Sequence, residues 1–187
     1  MSYYKAAADQ SNSTAANNLG AMYESGRGVS VNLREAARWF RIAAERGDPA
    51  GEASLGGLYF YGKGVRRDYS QAAEWLRKAA EQGYVPAQTA LSHIYFFGKG
   101  VPVDFAEAAR WARHVADQGD AQAQADLAAL YEQGKGVPLD YISAYRWYWR
   151  SFLGGNKESK SKIENLLRVM TPRQVNEARD ADIPARE

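Results

Sequence analysis

A glycine-rich tetrapeptide recurs along this chain with a fixed step. Gly-Arg-Gly-Val at residues 26–29 returns as Gly-Lys-Gly-Val at 62–65, 98–101 and 134–137, 36 residues apart each time. Other positions keep the same step: Leu19, Leu55, Leu91 and Leu127; Tyr23, Tyr59, Tyr95 and Tyr131; Trp39, Trp75, Trp111 and Trp147; Gly47, Gly83, Gly119 and Gly155. Self-similarity at a period between about 20 and 50 residues marks an array of stacked units, because one such unit cannot bury its own apolar face. Residues one period apart, the four tryptophans above all, are therefore expected in equivalent surroundings.

Each period reads as two helices. Ala87, Leu91, Ser92 and Tyr95 are spaced to share one helical face, and their equivalents in the other units do the same. Gly98 can end that helix in a left-handed conformation, and the Gly-Lys-Gly-Val-Pro loop that follows cannot continue it. The second helix starts at an acceptor side chain, Asn32, Asp68, Asp104 or Asp140. Glu35, Gln71 and Glu107 stand three residues after the first three, which predicts a capping box with both side chains satisfying free backbone N–H groups. Ala36, Trp39 and Ala43 then recur on one face, Gly47 stops the helix, and Asp48-Pro49 restarts the chain as an N-cap followed by a proline at the first helical position.

These residues resemble the Sel1-like repeat, a relative of the tetratricopeptide repeat. The pattern is roughly A-x-x-x-L-G-x-x-Y-x-x-G-x-G-V, then D and A-x-x-W-x-x-x-A-A-x-x-G, and it covers residues 3–155. A plain tetratricopeptide array has a period of about 34 and lacks the extra Gly-x-Gly loop. The resemblance implies an all-α fold, a right-handed α/α superhelix (solenoid) of stacked helix-turn-helix repeats closed by a C-terminal helical cap. On this expectation residues 1–187 form one domain: a partial repeat helix at 3–11, repeats at 13–48, 49–84, 85–120 and 121–156, and cap helices at 157–181.

Composition narrows the function. A 45% apolar fraction with 12% aromatic residues suffices for a continuous core, and a mean hydropathy of −0.54 suits helices that are each half exposed. The net charge of +2 argues against a general nucleic-acid binder, which needs a basic stripe to displace counterions. The chain has no cysteine, which excludes thiol catalysis, disulfides and cysteine-ligated zinc. Membrane insertion is not expected, since no run approaches the roughly 18 apolar residues of a span. No signal peptide pattern is visible at Met1-Ser2-Tyr3, and the compartment, periplasmic or secreted as against cytoplasmic, stays open.

The two ends depart from the period. Tyr3 falls 36 residues before Trp39, so residues 3–10 read as a second helix without its first; either the chain is an excerpt of a longer protein or this helix is itself a cap. In the fourth unit Ser151-Phe152 stands where the first has Ala43-Ala44, and Phe152 is too large for another unit to approach. A different element is expected there. Ile163, Leu166, Leu167 and Met170 have helical spacing, with Lys157, Lys160 and Lys162 outward. Thr171-Pro172-Arg173-Gln174 is a second capping box, opening a short helix to about Asp180. Residues 183–187 are expected to fray.

No catalytic constellation is found. Of the two histidines, His114 reads as an exposed residue beside Arg113. Ser92 and His93 are adjacent, point apart on a helix and cannot form a nucleophile–base pair. The Gly-Lys-Gly loops are not P-loops, which need G-x-x-x-x-G-K-[ST] between a strand and a helix. Arg27, Lys63, Lys99 and Lys135 read as solvated loop residues or as a basic row along one edge. No cofactor or metal is called for, and the protein is not expected to be an enzyme.

If the first helices line an inner wall, as resemblance to tetratricopeptide arrays implies, the inward positions are those two before and two, five and six after each Leu. In the second unit these are Ala53, Gly57, Phe60 and Tyr61; in the third, Thr89, His93, Phe96 and Phe97. The first and fourth carry Glu24 and Glu132. The candidate partner-binding residues are therefore Glu24, Phe60, Tyr61, Thr89, His93, Phe96, Phe97 and Glu132. Aromatic anchors with a polar rim suit a protein or peptide segment; the alternative is that Tyr61 and Phe97 pack under the following loop. His93 is either an ordinary groove residue, a ligand contact or a pH sensor. The leading expectation is a non-catalytic interaction scaffold or adaptor, as the resemblance implies for bacterial signalling, envelope biogenesis and host–microbe contact. A second is a hydrolase of the β-lactamase-like type assigned to some cysteine-rich relatives. Ser159 and Lys162 match S-x-x-K only formally, and S-D-N and K-T-G are absent. A third is self-association through the ends of the array.

Overall fold

The computed structural model describes residues 12–180, and all regular structure among them is helical. The helix expected at residues 3–11 and the fraying expected at 183–187 lie outside the described residues. Ten helices follow in order: α1 (Ser13–Ser25), α2 (Leu33–Glu45), α3 (Pro49–Tyr61), α4 (Tyr69–Glu81), α5 (Val85–Phe97), α6 (Phe105–Ala116), α7 (Ala121–Gln133), α8 (Tyr141–Leu153), α9 (Ser159–Val169) and α10 (Pro172–Asp180). The chain divides into two compact units, Met1–Val103 with α1–α5 and Asp104–Glu187 with α6–α10. Within each, consecutive helices pack as the helix pairs that the 36-residue step predicts.

In the first unit the core is alanine-rich because each second helix is shared between two first helices. One face of α2, with Trp39 and Ala43, packs on Ala15, Ala16 and Leu19 of α1. Its other face, with Ala36, Ala37, Phe40 and Ala44, meets Leu55 and Leu58 of α3. Together these residues form one wide apolar stripe, whose small members let a neighbouring helix approach along each edge. The tryptophans have like surroundings: all four are buried or half-buried. A basic side chain lies over each ring, Arg38 at 5.4 Å from Trp39, Lys78 at 4.0 Å from Trp75, Arg110 at 4.7 Å from Trp111 and Arg150 at 4.8 Å from Trp147.

The second helices are capped by one partner rather than two. Asn32 Oδ1 accepts from the amides of Arg34 and Glu35 at 3.2 and 3.1 Å, and Asp68, Asp104 and Asp140 do the same in their units. The reciprocal half of the expected capping box is not formed. The Asn32 and Asp68 amides already donate to the carbonyls of Tyr23 and Tyr59, at 2.9 and 3.0 Å, so no free N–H remains for a side chain at the third helical position. Glu35 and Glu107 pair instead with Arg38 and Arg110, and Gln71 donates to Glu74.

A second recurring bond joins successive repeats. Arg41 Nη2 donates to the Tyr59 hydroxyl at 2.7 Å, Arg77 to Tyr95 at 2.6 Å, and Arg113 to Tyr131. In each case an arginine two residues after the tryptophan reaches the tyrosine of the following repeat. At the equivalent position of the fourth repeat stands Trp149, stacked on Tyr145 at 6.4 Å.

In the second unit the tail packs on α8, as Phe152 led us to expect. Ser151 Oγ donates to the Ala121 carbonyl at 2.6 Å and lies 2.8 Å from Ser159 Oγ, and both serines are buried. Arg146 Nη2 donates to the Glu177 carbonyl of α10 at 2.7 Å. The Thr171 box is complete: the Gln174 amide donates to Thr171 Oγ1 at 3.3 Å, and the Thr171 amide to Gln174 Oε1 at 2.9 Å.

One register position carries a mismatch. Gln88 and Gln124 donate to the carbonyls of Ala80 and Ala116, at 3.2 and 3.1 Å. Their equivalent in the second repeat is Glu52, buried, whose carboxylate cannot donate and accepts instead from Gln82 Nε2 at 2.8 Å. Burial pushes the Glu52 carboxyl above the ordinary carboxylate range, although Lys78 and the Gln82 bond pull it down. Folding therefore takes up a proton between the unfolded pKa and the raised folded one. Stability falls as pH rises through that window. Glu52→Gln, which restores the donor and removes the buried charge, is expected to stabilise the protein at pH 7.5 by about 1 kcal/mol, a rise of roughly 2–4 °C in Tm. The gain should shrink towards pH 4. Thermal melts of both proteins at the two pH values check this, and a gain independent of pH would rule out the buried charge of Glu52 as its source.

Candidate functional site

In the first unit an apolar pocket of about 350 Å³ opens between α3 and α5. Ala53, Gly57, Phe60 and Tyr61 of α3 form one wall; Pro86, Ala90, His93, Ile94 and Phe97 of α5 form the other; Leu76 of α4 closes the floor and Lys99 stands at the rim. The walls are set by the helical repeat. Residues 53, 57 and 61 follow one another at one-turn spacing, with 60 one turn after 57, and so do 86, 90, 93 and 97. Gly57 keeps the cleft open: a Cβ built there meets nothing within 4 Å.

The aromatic rings are held before anything binds. Phe60 packs edge-on against Tyr61 at 5.0 Å and against Tyr69 of α4 at 5.1 Å. Phe97 packs edge-on against Phe96 at 4.9 Å. Tyr61 and Phe97 are nevertheless 68% and 62% exposed, so neither is buried under the following loop. Lys63 Nζ sits 5.5 Å from the Tyr61 ring centre. The result is an apolar slot with the Lys63 ammonium group beside Tyr61 and Lys99 at the rim. Such a slot can desolvate a bulky apolar side chain at little ordering cost.

Of the sequence-derived candidates, Phe60, Tyr61, His93 and Phe97 come together here. Phe96 supports Phe97 without lining the pocket. Thr89 Oγ1 donates to the Val85 carbonyl of its own helix at 3.2 Å, on the other flank of α5. Glu24 is an exposed residue of α1 outside the lining. Glu132 lies in the second unit, where it accepts from the buried Tyr148 hydroxyl at 2.8 Å. Burial and that carboxylate together hold the Tyr148 hydroxyl well above the ordinary tyrosine range. Sequence reasoning missed Pro86, Ala90, Ile94, Leu76 and Lys99. Counting both helices from the same face finds α3's contribution and, on α5, His93 and Phe97, but the α5 wall also takes Pro86, Ala90 and Ile94 from a second flank.

The chemistry-bearing residues stay apart. Ser92 is buried and His93 exposed, as their adjacency on a helix predicts. Ser159, the serine of the formal S-x-x-K, is buried against Ser151 in the contact between α8 and α9. No three His, Asp or Glu side chains among the described residues converge as metal ligands.

The sequence model of the Sel1 repeat matches residues 13–48, 49–84, 85–120 and 121–155. Among solved structures the chain is similar to c5321, a protective antigen present in uropathogenic Escherichia coli strains and displaying an SLR fold, at 39% identity and a TM-score of 0.86. That match covers 94% of this chain and 39% of the other. It is similar also to a Sel1 repeat protein from Oxalobacter formigenes, at 37% identity and a TM-score of 0.76, over 83% of this chain and 64% of that one. Comparison with curated proteins gives no match.

Proposed function

The chain belongs to the Sel1 repeat family, whose members generally mediate protein–protein interactions, and from that premise we propose that its first unit is a docking module whose pocket between α3 and α5 takes a bulky apolar side chain of a partner segment. The observation that carries this reading is the pair Tyr61 and Phe97. These two large rings are fixed by edge-on neighbours yet stand open to solvent on either side of a slot floored by Leu76. A monomeric fold gains nothing from leaving both exposed, whereas an interface concentrates its energy in such anchors. Binding here is by shape and desolvation, and the protein acts as a non-catalytic scaffold.

Gly57→Leu tests the pocket with the fold intact. The leucine fills open space and replaces a helical glycine, which should raise stability by about 0.5–1 kcal/mol. Peptides selected on the wild-type protein from a random display library are expected to carry a Phe, Trp, Leu or Met anchor. They should bind Gly57→Leu at least about tenfold more weakly in fluorescence polarisation, the loss of one buried anchor. Selected peptides that bind both proteins equally would place the interaction elsewhere.

A further inference from the structure

We propose that the first unit carries a second, separate interaction surface: a cationic cleft around Tyr59 that binds a carboxylate-bearing segment of a partner protein. The cleft encloses about 590 Å³ and is lined by Arg41 of α2, Tyr59 of α3, and Val65, Arg66, Arg67 and Asp68 of the loop that follows α3. Three guanidinium groups thus face one carboxylate. That carboxylate is already engaged: Asp68 Oδ1 accepts from the amides of Ser70 and Gln71, at 3.0 and 3.1 Å, as the cap of α4. Among the described residues no carboxylate forms an ion pair with Arg41, Arg66 or Arg67.

Comparison between repeats separates construction from surplus. The Arg41–Tyr59 bond belongs to the array, since Arg77–Tyr95 and Arg113–Tyr131 repeat it. The two loop arginines do not. At their positions the other loops carry neutral pairs, Ser30-Val31, Pro102-Val103 and Pro138-Leu139. Stacking therefore needs no charge there, and two cations are added beside Arg41 with Asp68 the one carboxylate in the lining and the Arg67 guanidinium over the Tyr69 ring at 5.4 Å, an arrangement that adds like-charge repulsion. Because Tyr59 Oη accepts from Arg41, its own hydrogen is left to donate to an incoming oxygen. A fixed guanidinium, two flanking ones and a hydroxyl donor match the planar two-oxygen geometry of a carboxylate. Val65 adds an apolar patch beside them. The compact cluster on a chain of net charge +2 lacks the extended stripe a nucleic-acid backbone requires.

The test uses fluorescein-labelled hexaglutamate as probe, with the chain labelled by ¹⁵N. Amide shift changes are expected to concentrate at Tyr59 and Val65 to Asp68. The exposed lysines Lys157, Lys160 and Lys162 of the second unit serve as an internal comparison of equal charge. Arg66→Gln/Arg67→Gln, a change confined to exposed loop positions, should weaken binding at least fivefold with an unchanged Tm. Lys157→Gln/Lys160→Gln/Lys162→Gln should leave affinity as it is. Gly57→Leu should also bind hexaglutamate normally, so failure of this surface and failure of the apolar pocket are told apart. No binding of the probe by the wild-type protein, equal affinity in the double arginine variant, or shifts spread over the lysines of the tail would overturn the proposal. So would a short single-stranded DNA that occupies the cleft more tightly than hexaglutamate.

Discussion

Gly100→Ala is expected to lower stability by about 3–5 kcal/mol, a fall in Tm on the order of 10 °C, measured by urea or thermal unfolding. Two costs add. Gly100 has φ +79°, a left-handed conformation that disfavours any side chain. A Cβ there would also lie 2.3 Å from the carbonyl carbon of Tyr69 and 2.4 Å from its oxygen, so backbone would have to move. The loop after α5 is pressed onto the start of α4, and Ser70 Oγ donates to the Gly100 carbonyl at 3.2 Å to fix it. Gly83→Ala separates the two costs. Gly83 has φ +84° but nothing within 4 Å of a built Cβ, so its replacement should cost only about 1–2 kcal/mol. Equal losses in the two variants would mean that the close approach to Tyr69 contributes nothing.

Phe40→Ala should cost about 3–5 kcal/mol. The ring is 1% exposed and lies against Gly20 of α1, where an added Cβ would meet its Cδ1 at 2.5 Å. It shares a buried cluster with Ala36, Ala37, Ala44, Leu55 and Leu58, small or already packed side chains that cannot collapse into the space left behind. The next repeat shows what the site tolerates. Gly56 there faces Leu76, whose Cγ would lie 2.8 Å from an added Cβ. Phe40→Leu should therefore cost less than about 1.5 kcal/mol. A Phe40→Leu loss as large as that of Phe40→Ala would show that ring shape, not filled volume, holds α1 to α2.

Much of the fold was legible in the chain because a strict period reports equivalence directly. The helix ends could be read from local chemistry: an acceptor side chain before each second helix, glycines that take φ near +70° after each first, and a complete Thr171–Gln174 box opening the last helix. The capping boxes were over-read. The tyrosine carbonyl that takes the Asn32 or Asp68 amide comes from the preceding helix, and no local pattern announces it. The Arg41–Tyr59 bond was hidden in the same way. Both residues recur every 36 positions, but they touch only across the contact between one repeat and the next.

The binding pocket divides along the same line. Sequence alone determined that large aromatic residues, Phe60, Tyr61, Phe96 and Phe97, cluster at matching positions of the second and third repeats, beside the small Gly57. It also determined that the helices carrying them are first helices of their units. Only the tertiary structure decided which of those rings share a wall. A pocket between neighbouring helices is bounded by one flank of each, so α3 presents Phe60 and Tyr61 while α5 presents Pro86, Ala90 and Phe97, and Thr89 and Phe96 fall to the other side. Periodicity fixes which residues are equivalent, and two equivalent pairs, Gly57 with His93 and Tyr61 with Phe97, both reach the cleft. Pro86, Ala90 and Ile94 have no counterparts in the α3 wall, because a cleft between adjacent helices takes a different flank of each, and only their packing brings those residues in.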